Sequence, residues 1–170
     1  EESGIAYGKG FIKNKYIGRT FIQPTQAQRE TAVNIKLNVL KSSVKGKRVV
    51  MVDDSIVRGT TCAKIIRALK DAGAKEVHLR VTPPPFMWPG YFGTDIPSRD
   101  DLMAVQYSIE EIRQKLGADS LGYLSMEGLA AATRDLNCDY CHACFSGEYP
   151  MEVPENVDKS EFEHNREGKK

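Results

Sequence analysis

Val49-Val50-Met51-Val52-Asp53-Asp54-Ser55-Ile56-Val57-Arg58-Gly59-Thr60-Thr61 is the stretch that decides how this chain folds. Its four leading apolar residues show no polar alternation, which predicts a central parallel strand covered on both faces by helices. Two adjacent carboxylates, Asp53 and Asp54, end that run. Beyond them, Gly59 permits backbone angles closed to other residues and lets a ligand approach the main chain. Thr60 and Thr61 place hydroxyls where the next helix starts, and Ala63, Ile65, Ile66 and Leu69 recur at helical spacing up to Gly73, a predicted C′ residue. A helix start carries free N–H groups and a partial positive charge, which suits a phosphate monoester. Two carboxylates touching that phosphate would repel it. They fit instead as acceptors for neutral hydroxyls, such as those of a ribose, or as partners of a magnesium ion bridging to phosphate oxygens. Taken alone, Asp-Asp-Ser is also ordinary turn and cap chemistry, so any functional reading rests on the whole pattern.

The 170 residues are 41% hydrophobic and 28% charged, with a net charge of +1, so one soluble globular domain is expected. With 24 basic and 23 acidic residues, no global field recruits nucleic acid or an anionic membrane. No apolar run approaches the roughly 20 residues that span a bilayer, and no signal peptide pattern is present, so a cytoplasmic protein is expected. The chain opens at Glu1, without an initiator Met, in what reads as mid-domain sequence, and is expected to be part of something longer.

Residues 5 to 22 are rich in Gly, Lys and Arg, a mobile and basic composition. From Gln26 to about Leu40, the spacing of Ala27, Val33, Leu37 and Leu40 predicts a helix. After the signature strand and helix, Val77, Leu79 and Val81 alternate as a second strand, stopped by Pro83, Pro84 and Pro85. An aromatic loop with Trp88, Tyr91 and Phe92 follows, of a length that is usually functional. Ser108 and Glu111 form a capping box for a helix carrying Ile109, Ile112 and Leu116 and closed by Gly117. Leu121 to Leu124 read as a short strand, and Ser125 caps a helix running to about Leu136. This alternation predicts an α/β fold with a mainly parallel sheet flanked by helices. Residues 1–150 are expected to form the domain. In 151–170, ten of the twenty residues are charged, which predicts a surface or disordered segment. His78, His142 and His164 lie in unrelated contexts and complete no hydrolase pattern.

The thirteen-residue pattern resembles the phosphoribosyl pyrophosphate (PRPP) signature of the type I phosphoribosyltransferases. The flanks narrow the resemblance. Lys13-Asn14-Lys15-Tyr16-Ile17-Gly18-Arg19-Thr20-Phe21-Ile22-Gln23-Pro24, with Lys36-Leu37-Asn38, is similar to the flexible loop of the amidophosphoribosyltransferase family. So are Tyr91-Phe92-Gly93-Thr94-Asp95-Ile96-Pro97-Ser98, Glu110-Glu111-Ile112-Arg113 and Gly117-Ala118-Asp119-Ser120-Leu121. The resemblance covers nearly everything up to about Pro154. It implies a type I phosphoribosyltransferase fold, incomplete at its N-terminus. It also implies transfer of ammonia, drawn from glutamine in the complete enzyme, to C1 of PRPP. The products are 5-phosphoribosylamine and pyrophosphate, at the first step of purine synthesis. Asp53 and Asp54 are then implied to hold the ribose hydroxyls or Mg2+, with Arg19 a third catalytic residue, while Ser55, Ile56, Val57, Arg58, Gly59, Thr60 and Thr61 wrap the 5-phosphate. The loop around Lys13 to Pro24 would close over PRPP, with Tyr16 and Ile22 lining an ammonia channel. Feedback by purine nucleotides and a homo-oligomer are implied as well. The family's glutaminase domain, with its N-terminal cysteine nucleophile, and the pyrophosphate loop expected upstream of Glu1 are not in this sequence, so the chain alone is expected not to use glutamine. Two rival readings are a PRPP-binding regulator and a nucleobase phosphoribosyltransferase.

Cys138, Cys141 and Cys144 stand at two-residue spacings, which in a cytosolic protein favours metal ligation over disulfides. Some members of the family hold a [4Fe-4S] cluster through a C-x-x-C at this place, which maps onto Cys141 and Cys144. The cysteine expected in the aromatic loop is replaced by Gly90, with Cys138 a possible substitute ligand. Zinc with His142 and three ordinary thiols remain as alternatives. Cys62 is expected in the core.

Overall fold

The computed structural model describes residues 3–13, 37–91, 98–134 and 140–153. Its centre is a three-stranded parallel sheet of β3 (Arg48–Asp53), β4 (Glu76–Val81) and β5 (Ser120–Tyr123), in the order β3-β4-β5. Register aligns Asp53 with Val81, and Val81 with Tyr123, so the strands end level at their carboxyl edge. A shorter antiparallel pair joins β1 (Phe11–Lys13) to β2 (Leu37–Val39). A one-turn helix, α1 (Lys41–Val44), leads from it into β3.

The crossover from β3 to β4 is α2 (Thr60–Asp71). Its end is set by Gly73 at φ +94°, where the Gly73 N–H donates to the Lys70 carbonyl and the Ala74 N–H to that of Leu69. Those two bonds are a Schellman closure, which satisfies carbonyls that the helix leaves open. After a 3-10 turn (Arg99–Asp101) and the short α3 (Met103–Gln106), α4 (Ile109–Leu116) begins on the predicted capping box and ends on Gly117 at φ +72°. α2 and α4 pack on one face of the sheet. There Met51, Val77, Leu79 and Val81 meet Cys62, Ile66 and Leu69 of α2, with Ile112 and Leu116 of α4. The remaining helices are α5 (Met126–Ala132) and α6 (Ala143–Ser146). Among the described residues, no helix is long and apolar enough to cross a membrane.

Three expectations need correction. Among the described residues β3 is covered on one face: Met51 is 8% exposed, whereas Val50 is 39% and Val52 65% exposed. Side chains alternate across a strand, and among the described residues only the Met51 face meets helices. The opposite face continues as a polar row. Arg48 Nε lies 2.6 Å from Glu76 Oε2, His78 Nδ1 lies 2.9 Å from Ser120 Oγ, and Arg80 donates to that same Oγ at 3.0 Å. Second, the helix predicted through Leu40 is overturned at its end, where residues 37–39 form β2 and the Leu40 N–H donates to the Gly10 carbonyl at 2.8 Å. Pairing with Phe11-Ile12-Lys13 outweighs the weak helical period of a segment containing Asn38 and Val39. Residues 26–36 of that prediction lie outside the described residues. Third, the helix capped by Ser125 stops at Ala132, short of Leu136. The Thr133 hydroxyl turns back onto the Leu129 carbonyl at 3.1 Å, a bond that competes with helix continuation.

Candidate active site

The carboxyl edge of β3 delivers Asp53 half-buried and Asp54 exposed, and the two differ in how they are held. Asp53 accepts twice from the protein: Oδ1 takes the Asp54 N–H at 3.0 Å, and Oδ2 takes the Cys62 thiol at 2.9 Å. Rotation of its carboxylate is therefore locked. Among the described residues the Asp54 side chain has one partner, the Ser55 hydroxyl, which donates to Oδ1 at 3.0 Å, so its second oxygen is the one open toward a ligand.

From there the chain turns toward α2 over an anchor and a brace. The Ile56 side chain is 2% exposed, so it plugs the loop into the core. The Val57 carbonyl accepts from the Met103 N–H at 2.8 Å, and Arg58 pairs with Asp101 at 2.9 Å. Gly59 then caps α2 at φ +74°. Glycine is required here on two counts. The angle is one that other residues adopt only with strain, and a Cβ would sit 2.6 Å from Met103 Sδ and 3.0 Å from Leu116 Cδ2. No side chain caps α2 at this end, and Thr60 and Thr61 stand exposed on its first turn. The start of a twelve-residue helix that no side chain closes, flanked by two hydroxyls, is a ready anion seat. An open cleft of about 350 Å3 adjoins this loop, lined by Arg58, Asp101, Met103, Gln106, Tyr107 and Lys115. Its lining includes neither Asp53 nor Asp54.

The structure thus brings together Asp53, Asp54, Ser55, Arg58, Gly59, Thr60 and Thr61, while Ile56 and Val57 serve as the loop's footing. Arg19, Tyr16, Ile22 and Cys138 lie outside the described residues. His78 sits in β4 between Glu76 and Ser120, a partnered strand residue.

Cys141 is exposed and Cys144 half-buried, in a second region where the aromatic loop meets residues 140–149. The Met87 and Trp88 N–H groups both donate to the Cys144 carbonyl, at 2.9 and 3.1 Å. Arg99 lies over the Trp88 ring at 4.1 Å, Phe86 meets Phe145 with centroids 5.0 Å apart, and the Tyr149 hydroxyl donates to the Pro89 carbonyl at 2.8 Å. Burial, then the neighbouring Tyr91 and the two thiols, push the Tyr149 hydroxyl above its ordinary range. Among the described residues, no three metal-ligating side chains converge.

Sequence reasoning missed the Cys62 bond to Asp53 and the Met103 and Leu116 wall behind Gly59. Only the first left a signal: Cys62 follows the Gly-Thr-Thr directly, on the helix face already assigned to the core.

Residues 9–82 match the family described as "Phosphoribosyl transferase domain". The chain is 50% identical to an amidophosphoribosyltransferase of Synechococcus elongatus over 162 residues, 95% of this chain and 33% of that protein. It is 53% identical to one from Archaeoglobus fulgidus over 156 residues, 91% of this chain and 34% of that protein. Among solved structures it is similar to the glutamine PRPP amidotransferase from B. subtilis complexed with ADP and GMP. There the TM-score is 0.76 at 50% identity, covering 91% of this chain and 35% of that one. The architecture is that of the type I phosphoribosyltransferases.

Proposed function

The chain belongs to the amidophosphoribosyltransferase family, spanning about a third of the length of the curated relatives it matches, and from that premise we propose that it supplies the PRPP-binding half of an ammonia transfer. Ammonia attacks C1 of PRPP, the bond from C1 to the pyrophosphate oxygen breaks, and 5-phosphoribosylamine and pyrophosphate leave. The observation that carries this reading is the adjacent pair of aspartates, Asp53 braced by two donors, beside an uncapped helix start at the carboxyl edge of a parallel sheet. Thr60, Thr61 and the first N–H groups of α2 hold the 5-phosphate, with Ser55 to Gly59 wrapping it. Asp53 and Asp54 accept hydrogen bonds from the ribose hydroxyls and so orient C1. Positioning and electrostatics carry the chemistry, and no protein nucleophile is needed on this half.

Two carboxylates are hard oxygen donors of the kind Mg2+ prefers, so Asp53 and Asp54 fit that ion, which when bound neutralises the departing pyrophosphate. A [4Fe-4S] cluster takes four cysteine thiolates. Cys141 and Cys144 would supply two of those ligands, with Cys138 the candidate for a third. Arg19, Tyr16 and Ile22 keep their assigned roles in the lid and ammonia path. Residues 1–150 form the transferase domain and 151–170 a charged segment. Purine nucleotides are the expected inhibitors, by analogy with the relative complexed with ADP and GMP, and a homo-oligomer is the expected assembly.

The test is phosphoribosylamine formation from PRPP and ammonia in the protein that carries this sequence. The pair of changes Asp53→Asn and Asp54→Asn is expected to lower kcat/KM by about a hundredfold or more, a loss usual for electrostatic groups at the reacting centre. Undiminished activity in that double variant would sink the site assignment.

A further inference from the structure

We propose that Cys62 is a positioning residue for the transfer: its thiol, buried under α2, donates to Asp53 Oδ2 and so holds the carboxylate in the orientation that receives the ribose. This rests on the proposed function. Cys62 is 3% exposed and its sulfur lies 2.9 Å from Asp53 Oδ2, while Oδ1 is occupied by the Asp54 N–H at 3.0 Å. With one donor on each oxygen, turning about the Cβ–Cγ bond would break both contacts. The outward lone pairs are thereby fixed toward the carboxyl edge of the sheet, where the uncapped helix start also faces.

The inner side of this arrangement is buried: the Tyr123 hydroxyl, level with Asp53 in the strand register, is enclosed without a hydrogen-bond partner among the described residues. A weak S–H donor counts for more in such a buried setting than at the surface. Burial under α2 also shields the sulfur, so a redox or covalent role is not implied.

Three variants of the intact protein separate positioning from packing. Cys62→Val keeps an apolar side chain and removes the donor, Cys62→Ser keeps a donor, and Asp53→Asn reports on the site itself. Apparent KM for PRPP, kcat with ammonia and the thermal midpoint are measured for each. Cys62→Val is expected to raise KM for PRPP by roughly three- to tenfold, the span of one net hydrogen bond, with kcat within about twofold. Cys62→Ser is expected to recover most of that loss. If Cys62→Val shifts the thermal midpoint while leaving KM for PRPP at the wild-type value, or if serine fails to rescue, the proposal is overturned. Should the wild type make no phosphoribosylamine, or Asp53→Asn match it, the proposed function fails first, which is a distinguishable result.

Discussion

At the signature loop, Gly59 is pressed against Met103 and Leu116 of the core. At the junction of the aromatic loop with residues 140–149, Gly147, at φ +81°, is pressed against the Trp88 ring, where a Cβ would lie 2.7 Å from Cε2. Both glycines carry a positive φ and both leave no room for a methyl, yet their surroundings differ. Gly59 is backed by side chains that are themselves buried, and its loop is tied by the Val57 carbonyl and the Arg58 pair. Trp88 is half-buried, held by Arg99 and by bonds to one carbonyl. A disturbance at Gly59 must move the core, whereas one at Gly147 can be absorbed by a ring at the surface.

Gly59→Ala puts the largest weight on that contrast. Strain at the positive φ and overpacking against Met103 are expected to cost about 2–4 kcal/mol together, and PRPP binding should fall by at least tenfold because the anion seat moves. Calorimetric unfolding and PRPP titration of the intact protein check both. Gly147→Ala should cost less, about 1–2 kcal/mol, and leave PRPP affinity within about twofold. A comparable loss of PRPP binding there would show that the two regions are coupled and break the comparison.

The smallest effect lies between them, at Asp119. Its Oδ2 accepts the Val77 N–H at 2.7 Å and lies 3.1 Å from Lys70 Nζ, tying β4 to the loop before β5. The backbone bond from Val77 chiefly, with Lys70 assisting, holds this carboxyl below the usual carboxylate range. A lowered folded-state value means that the contribution is fully present above the ordinary carboxylate range near 3.9 and is lost as pH falls through the folded value. Asp119→Ala is expected to cost about 1 kcal/mol at neutral pH and to flatten the acid limb of stability against pH, read by urea unfolding from pH 2.5 to 7. An unchanged acid limb would remove Asp119 from the account.

How far the sequence carried can be judged from particular residues. Gly73, Gly117 and the Ser108 box were legible because caps are local chemistry, written within five residues. The alternation of Val77, Leu79 and Val81 was legible for the same reason. The open face of β3 was not, since four apolar residues read alike whether a helix covers one face or both. The strand at 37–39 escaped because its partner lies some twenty-five residues away. In the site, Asp53 to Thr61 could be read as a linear pattern, but the Cys62 thiol on Asp53 and the Met103 wall behind Gly59 depend on the angle at which α2 and α3 meet the sheet.

The sheet's first strand has one more consequence. Among the described residues β3 pairs only with β4, and Val50 and Val52 stand exposed on its open face. Arg48 and Asp53 stand at either end of the four apolar residues, in the manner of charged gatekeepers that discourage stacking of like segments. While the run is uncovered during synthesis or refolding, those two charges oppose its stacking on like segments at the strand that ends in the two aspartates.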